Sequence, residues 1–155
     1  MPAEWRRERV PGLLTMFLPP DFVRVDVMGE DSFVLGYQGK GRTISMEVGP
    51  YAPDPSPDAH MDSAPWDDVL PAQSLVVAGR AITLQRYALK ARAGRPSWTA
   101  QARIPNVAEP FWAMFGAGAS QSNLFFALDC DTLDACAAAP VILGSLEVLS
   151  ESILP

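Results

Sequence analysis

The stretch FVLGYQGKGRTISMEVG, residues 33–49, decides the fold. Phe33, Leu35 and Tyr37 fall on one face of an extended chain. Ile44, Met46 and Val48 do the same eleven residues on. Successive side chains of a strand point to opposite faces, so this spacing predicts two half-buried strands. Gly39-Lys40-Gly41 lies between them, where the chain must reverse and glycine takes positive φ at little cost. A β-hairpin is the expected unit.

The same alternation recurs on both sides of this hairpin. Val23, Val25 and Val27 alternate with Arg24, Asp26 and Met28, predicting a half-buried strand. SLVVAGRAITLQRYAL predicts a second hairpin, folded at Gly79-Arg80, with Ile82 and Leu84 on one side and Thr83, Gln85 and Tyr87 on the other. In SWTAQARI, Trp98, Ala100, Ala102 and Ile104 alternate with Thr99, Gln101 and Arg103, and Pro105-Asn106 is expected to end the strand. LFFALD is apolar on both faces, as a buried strand is. The last element is the helix candidate. Asp131 is placed to cap it, Asp134 stands three residues on, and Leu133, Ala137 and Val141, extended by Leu146, form an apolar stripe. Pro140 predicts a break, with ILGSLEVL continuing as a second short helix or a final strand.

The fold class is therefore α+β: an antiparallel sheet of about six or seven strands, with a C-terminal helix and a short helix at 64–70 packed on it. At 155 residues the chain fits a single domain, 1–155. Residues 1–12 read as an N-terminal arm. Residues 50–71 hold six prolines and five aspartates, and no Lys or Arg lies between Arg42 and Arg80. That composition predicts an acidic, Pro-rich surface loop. Within it, Pro65, Asp67 and Asp68 suit a helical first turn, with Trp66 and Leu70 pinning it to the core. Residues 108–122 read as an apolar segment followed by a flexible loop.

Composition narrows the function classes. Apolar residues make up 48% and charged residues 19%, a globular balance. The net charge is −6, so a nucleic-acid partner or an anionic membrane surface is disfavoured. No apolar run reaches the ~20 residues of a membrane span. Lysines are two of the twelve basic residues, which suggests a GC-rich bacterial genome. MPAEWRRERVPGLLTMFLPP does not read as a signal peptide, so the chain is cytoplasmic as read, and periplasmic if an upstream leader is missing.

The order of elements resembles the PsbP-like fold, and within it small uncharacterised bacterial proteins. The residues that carry the resemblance are GYQGKGRTISMEVGPYAPD, VVAGRAITLQRY, WTAQARI, LFFALDC and AAPVILGSLEV, and as an order of elements it covers roughly residues 13–150. The resemblance implies an antiparallel sheet with helices on it and no activity, since that fold includes extrinsic, accessory and binding proteins.

Chemistry-bearing motifs are sparse. Gly39-Lys40-Gly41-Arg42 lies between two strands and lacks the length of a phosphate-binding loop. His60 is the single histidine, flanked by Asp58 and Asp62 in the acidic loop. A solvated loop is the plain reading; a small enzyme with its base at His60 is the alternative. No metal site and no cofactor is expected. Cys130 and Cys136 are either two small buried hydrophobes or a local disulfide, the latter implying an oxidising compartment.

Phe111, Trp112, Met114 and Phe115 are either core or an exposed binding patch, since aromatic and Met side chains favour interface centres. The leading expectation is a non-enzymatic binding or accessory protein. It would meet another protein or a small ligand through that patch, the 50–71 loop, or both. An acidic immunity-type inhibitor is one concrete form. Oligomeric state is left open.

Overall fold

A computed structural model describes residues 2–26, 33–49, 53, 55, 66–90, 94, 96–108 and 121–149. Two antiparallel sheets organise it. The small sheet holds β1 (Arg6–Val10), β2 (Leu14–Leu18) and β10 (Glu147–Val148), in the order β1-β2-β10. The large sheet has seven strands: β3 (Val23–Val25), β4 (Phe33–Gly39), β5 (Arg42–Gly49), β6 (Trp66–Val77), β7 (Arg80–Leu89), β8 (Trp98–Ala108) and β9 (Gln121–Cys130). Their spatial order is β3-β4-β5-β9-β8-β7-β6. A 3₁₀ segment, Asp134–Ala138, leads into one helix, α1 (Ala139–Ser145). No helix among the described residues is long and apolar enough to cross a membrane.

Register explains why one side of the large sheet is apolar. Ile44, Met46 and Val48 of β5 stand opposite Leu128, Phe126 and Leu124 of β9. Ala100, Ala102 and Ile104 of β8 stand opposite the same three. Leu75 of β6 meets Ile82 of β7. With a side-chain period of two, these residues line one face, and they are buried apart from the half-buried Leu75. Leu14, Met16 and Leu18 of the small sheet close over that face, joined by Phe22 and by Ala139, Ile142 and Leu143 of α1. Ser145 ties α1 to β2: its hydroxyl accepts from the Phe17 amide at 2.9 Å and donates to the Ile142 carbonyl. Each fully buried Leu, Ile or Phe contributes about 1.5–3 kcal/mol relative to exposure.

The hairpin of residues 33–49 forms, with Gly39 opposite Arg42 and Gly41 at φ 70°. Tyr37 is buried, and its hydroxyl donates to Glu8 across the two sheets at 3.4 Å. Burial and the adjacent Glu8 carboxylate push its pKa up to about 12.

Several expectations are corrected. The short helix at 64–70 is not formed over 66–70, which belong to β6. Val69 and Leu70 pair with Tyr87 and Arg86 there, so ladder hydrogen bonds outweigh the weak preference of a Pro-Trp-Asp-Asp start for helix. The acidic loop expected at 50–71 therefore does not include 66–71. Pro71 is tolerated because β6 is an edge strand with a register shift between Leu70 and Gln73. Pro105 likewise does not end β8, which runs on through a shift between Ile104 and Val107. Residues 108, 121 and 122 belong to strands, not to the apolar segment. The arm at 1–12 contains β1, and Val23 is 57% exposed, not half-buried.

At the C-terminus most of the predicted stripe faces outward: Leu133, Ala137 and Val141 are exposed, and Leu146 is buried. Cys136, Ala139, Ile142 and Leu143 are buried instead. The 3₁₀ segment turns faster than an α-helix and so rotates the inward face. No side chain caps the 3₁₀ segment at Leu133, but the Thr132 hydroxyl accepts from the Ala135 amide at 3.2 Å. Pro140 sits in the first turn of α1, where its missing N–H costs nothing.

The second hairpin turns at Ala78-Gly79, one residue earlier than expected. Both residues have positive φ, 51° and 77°, as a type I′ turn requires. Alanine is strained there, whereas asparagine tolerates it. Ala78→Asn is expected to raise stability by about 1 kcal/mol, seen as a Tm increase of about 2–4 °C. A lower Tm would show that the turn is relaxed as it stands.

Candidate functional site

The sequence candidates divide sharply. His60, Asp58 and Asp62 lie outside the described residues. So do Phe111, Trp112, Met114 and Phe115. Cys130 and Cys136 are described and are joined by a disulfide, with their Cα atoms 5.6 Å apart. Cys130 ends β9 and Cys136 lies in the 3₁₀ segment, so the bond fastens that segment to the middle of the large sheet.

A second fastening lies beside it. Arg42, the first residue of β5, donates through Nη2 to Asp21 Oδ1 at 3.1 Å and through Nη1 to the Ala135 carbonyl at 3.3 Å. Its guanidinium also stands 5.0 Å from the Phe22 ring centre. Asp21 Oδ2 accepts from the Lys40 amide at 2.9 Å. That amide, the one a phosphate cradle would need, is thus occupied by a carboxylate. A Cβ on Gly39 would come within 2.5 Å of Asp21 Oδ2, so glycine is required for this approach. Burial raises the Asp21 pKa, but the bonds from Lys40 and Arg42 outweigh it and hold the carboxyl below its ordinary value.

The surface with recognition chemistry is the other face of the large sheet. Alternation turns Thr43, Glu47, Gln85, Gln101, Arg103, Asn123, Phe125 and Asp129 toward it. Glu47 of β5 and Arg103 of β8 both stand opposite Phe125 of β9. Thr43 and Thr99 both stand opposite Asp129, and Tyr87 stands opposite Thr99. Tyr87 and Thr99 are buried on this face. The Tyr87 hydroxyl donates to the carbonyl of Pro55, which lies in the β5–β6 connection.

Of that connection, Pro55 is placed against the polar face by this bond. β5 and β6 run parallel, with β9, β8 and β7 between them. Two grooves open on this face, and Pro55 lines one of them. The first, about 510 Å³, is lined by Gln38, Arg42, Thr43, Pro96, Asp129 and Asp131. The second, about 420 Å³, is lined by Pro55, Thr83, Gln85, Arg103, Pro105 and Asn123. Amides, a hydroxyl and a guanidinium in the second groove can donate to and accept from a polar ligand or a partner's backbone. Among the described residues no group of three or more His, Cys, Asp or Glu is placed to hold a metal ion. The outward positions of β7 and β8 were legible as the polar half of each strand. Their assembly into grooves was not, because strand order is absent from local periodicity.

Replacing both Cys130 and Cys136 by Ala should lower the unfolding free energy by about 2 kcal/mol, as urea titration would show. An unchanged midpoint would mean the 3₁₀ segment needs no covalent tether. Asp21→Asn should cost about 1 kcal/mol at pH 7, where the charged carboxylate accepts both bonds. A lowered folded pKa stabilises above the ordinary value of 3.8 and loses that contribution as pH falls through the folded value. The gap between wild type and Asp21→Asn should therefore narrow below about pH 3.8; a gap independent of pH would remove the role given to this charge.

A scan against protein-family models finds no match for this chain, and a search of curated proteins finds none either.

Proposed function

We propose that this chain is a non-enzymatic binding protein that takes hold of another protein at the groove between Thr83, Gln85, Arg103 and Asn123. One observation carries the reading. β5 ends at Gly49 opposite Asn123, and Ala108 at the end of β8 stands opposite Gln121 at the start of β9. Both segments singled out by composition are thus rooted at the end of the polar face where this groove opens. One is the acidic β5–β6 connection. The other is the β8–β9 connection carrying Phe111, Trp112, Met114 and Phe115. Strands fix the groove's polar groups, which keeps the entropy lost on binding small. Aromatic side chains supply anchors, and a net charge of −6 favours encounter with a basic partner. An immunity-type inhibitor is one form this takes. The resemblance to the PsbP-like fold, with its accessory and binding proteins, points the same way.

The test begins with affinity capture by the full chain from a lysate of its source organism and identification of the bound protein. Thr83 is exposed on the groove rim, so Thr83→Arg should leave Tm unchanged. It should weaken binding of the purified partner at least about tenfold, or about 1.4 kcal/mol. Trp112→Ala should do the same. If Trp112→Ala only unfolds the protein, Thr83→Arg decides. Full affinity in folded Thr83→Arg would exclude the groove, and catalysis abolished by replacing His60 would favour an enzyme instead.

A further inference from the structure

The two edges of the large sheet differ in kind. β3 is three residues long and carries Arg24. β6 is twelve residues long, and no strand pairs with its outer side among the described residues. Edge strands are ordinarily guarded by charge, proline or a bulge, because their open N–H and C=O groups recruit other strands. The first half of β6 has such guards: Asp68, Pro71 and two register shifts. The second half, Gln73-Ser74-Leu75-Val76-Val77, has none. It is uncharged, its pairing with β7 is regular, Gln73 and Ser74 are exposed, and Val76 is 71% exposed.

Ladder geometry tells which groups are open. The turn has two residues, so Val77 and Arg80 flank it and exchange backbone hydrogen bonds. Alternation then directs the amides of Gln73, Leu75 and Val77 to β7. Those of Ser74 and Val76 point outward.

We infer that this edge pairs with a second copy of itself, joining two large sheets into one antiparallel sheet about a twofold axis at Leu75. Ser74 exchanges hydrogen bonds with the partner subunit's Val76, and Val76 with the partner subunit's Ser74. That makes about four backbone bonds. Leu75 lies opposite the partner subunit's Leu75, adding apolar contact. Charge selects this occupant. Val69 to Val77 contains no ionised residue, so two acidic chains meet there without opposed carboxylates. Asp68 falls beyond the partner's hairpin turn in this register. A basic strand from another protein finds no charge to grip in this stretch, whereas an identical neutral edge matches it under twofold symmetry.

Sedimentation velocity of the full chain, from roughly 5 to 300 µM, tests the inference. The mass should rise with concentration from 16.8 kDa toward twice that value. Ser74→Pro removes one outward N–H and leaves the β7 ladder intact, as proline at an open edge does. It should weaken self-association at least about tenfold with an unchanged circular-dichroism spectrum. Val76→Lys, which adds charge at an exposed position, should do likewise and serves if the proline variant misfolds. A wild type that stays monomeric throughout overturns self-pairing, even if it captures an extended peptide. So do folded variants that dimerise as tightly as wild type.

Discussion

Everything in this molecule follows from a seven-stranded sheet that is apolar on one side. Such a face cannot remain in water: Leu124, Phe126 and Leu128, with their neighbours on β5 and β8, must be covered. The cover comes from both ends of the described chain, as β2 near its start and α1 with β10 near its finish. Covering one face leaves the other free to carry Thr, Gln, Asn, Asp and Arg. The polar face, its two grooves and the contact of Tyr87 with Pro55 are consequences of that division of labour.

The corner where β5, β9 and the 3₁₀ segment meet is secured redundantly. A covalent bond joins Cys130 to Cys136. One side chain, Arg42, reaches Asp21, Ala135 and the Phe22 ring from the start of β5. The segment so held is too short to be stable alone, since isolated helices of this length are marginal in water. Its position depends on these links and on the apolar side chains beneath it.

Period-two patterns were the most legible part of the sequence. Residues 33–49, 80–89 and 98–104 show their strands directly, because the apolar side chains fall on alternate positions, and 124–129 shows its strand as a run apolar on both faces. Misreadings arose where a local rule yields to context. Pro71 and Pro105 suggest strand ends, yet register shifts accommodate both. Trp66 to Leu70 carries helix-start residues, yet an available neighbour, β7, makes it a strand. The inward face of the last helix was misplaced because a 3₁₀ entry changes the angular step per residue. The candidate site was less legible still. The grooves are made by strands far apart in sequence, and His60 and Phe111–Phe115 lie outside the described residues.

The small sheet has one further consequence. β10 pairs with β2 through Glu147 opposite Thr15 and Val148 opposite Leu14. The central seam, β5 against β9, also joins residues about eighty positions apart. Hairpins can close early and locally, but neither of these ladders can form until distant chain has been made. During synthesis the greasy side of the sheet must therefore wait, unsealed, for residues 139–148. The central strand β9 is itself made only just before that closing segment, so the seam and the later half of its cover are completed in quick succession.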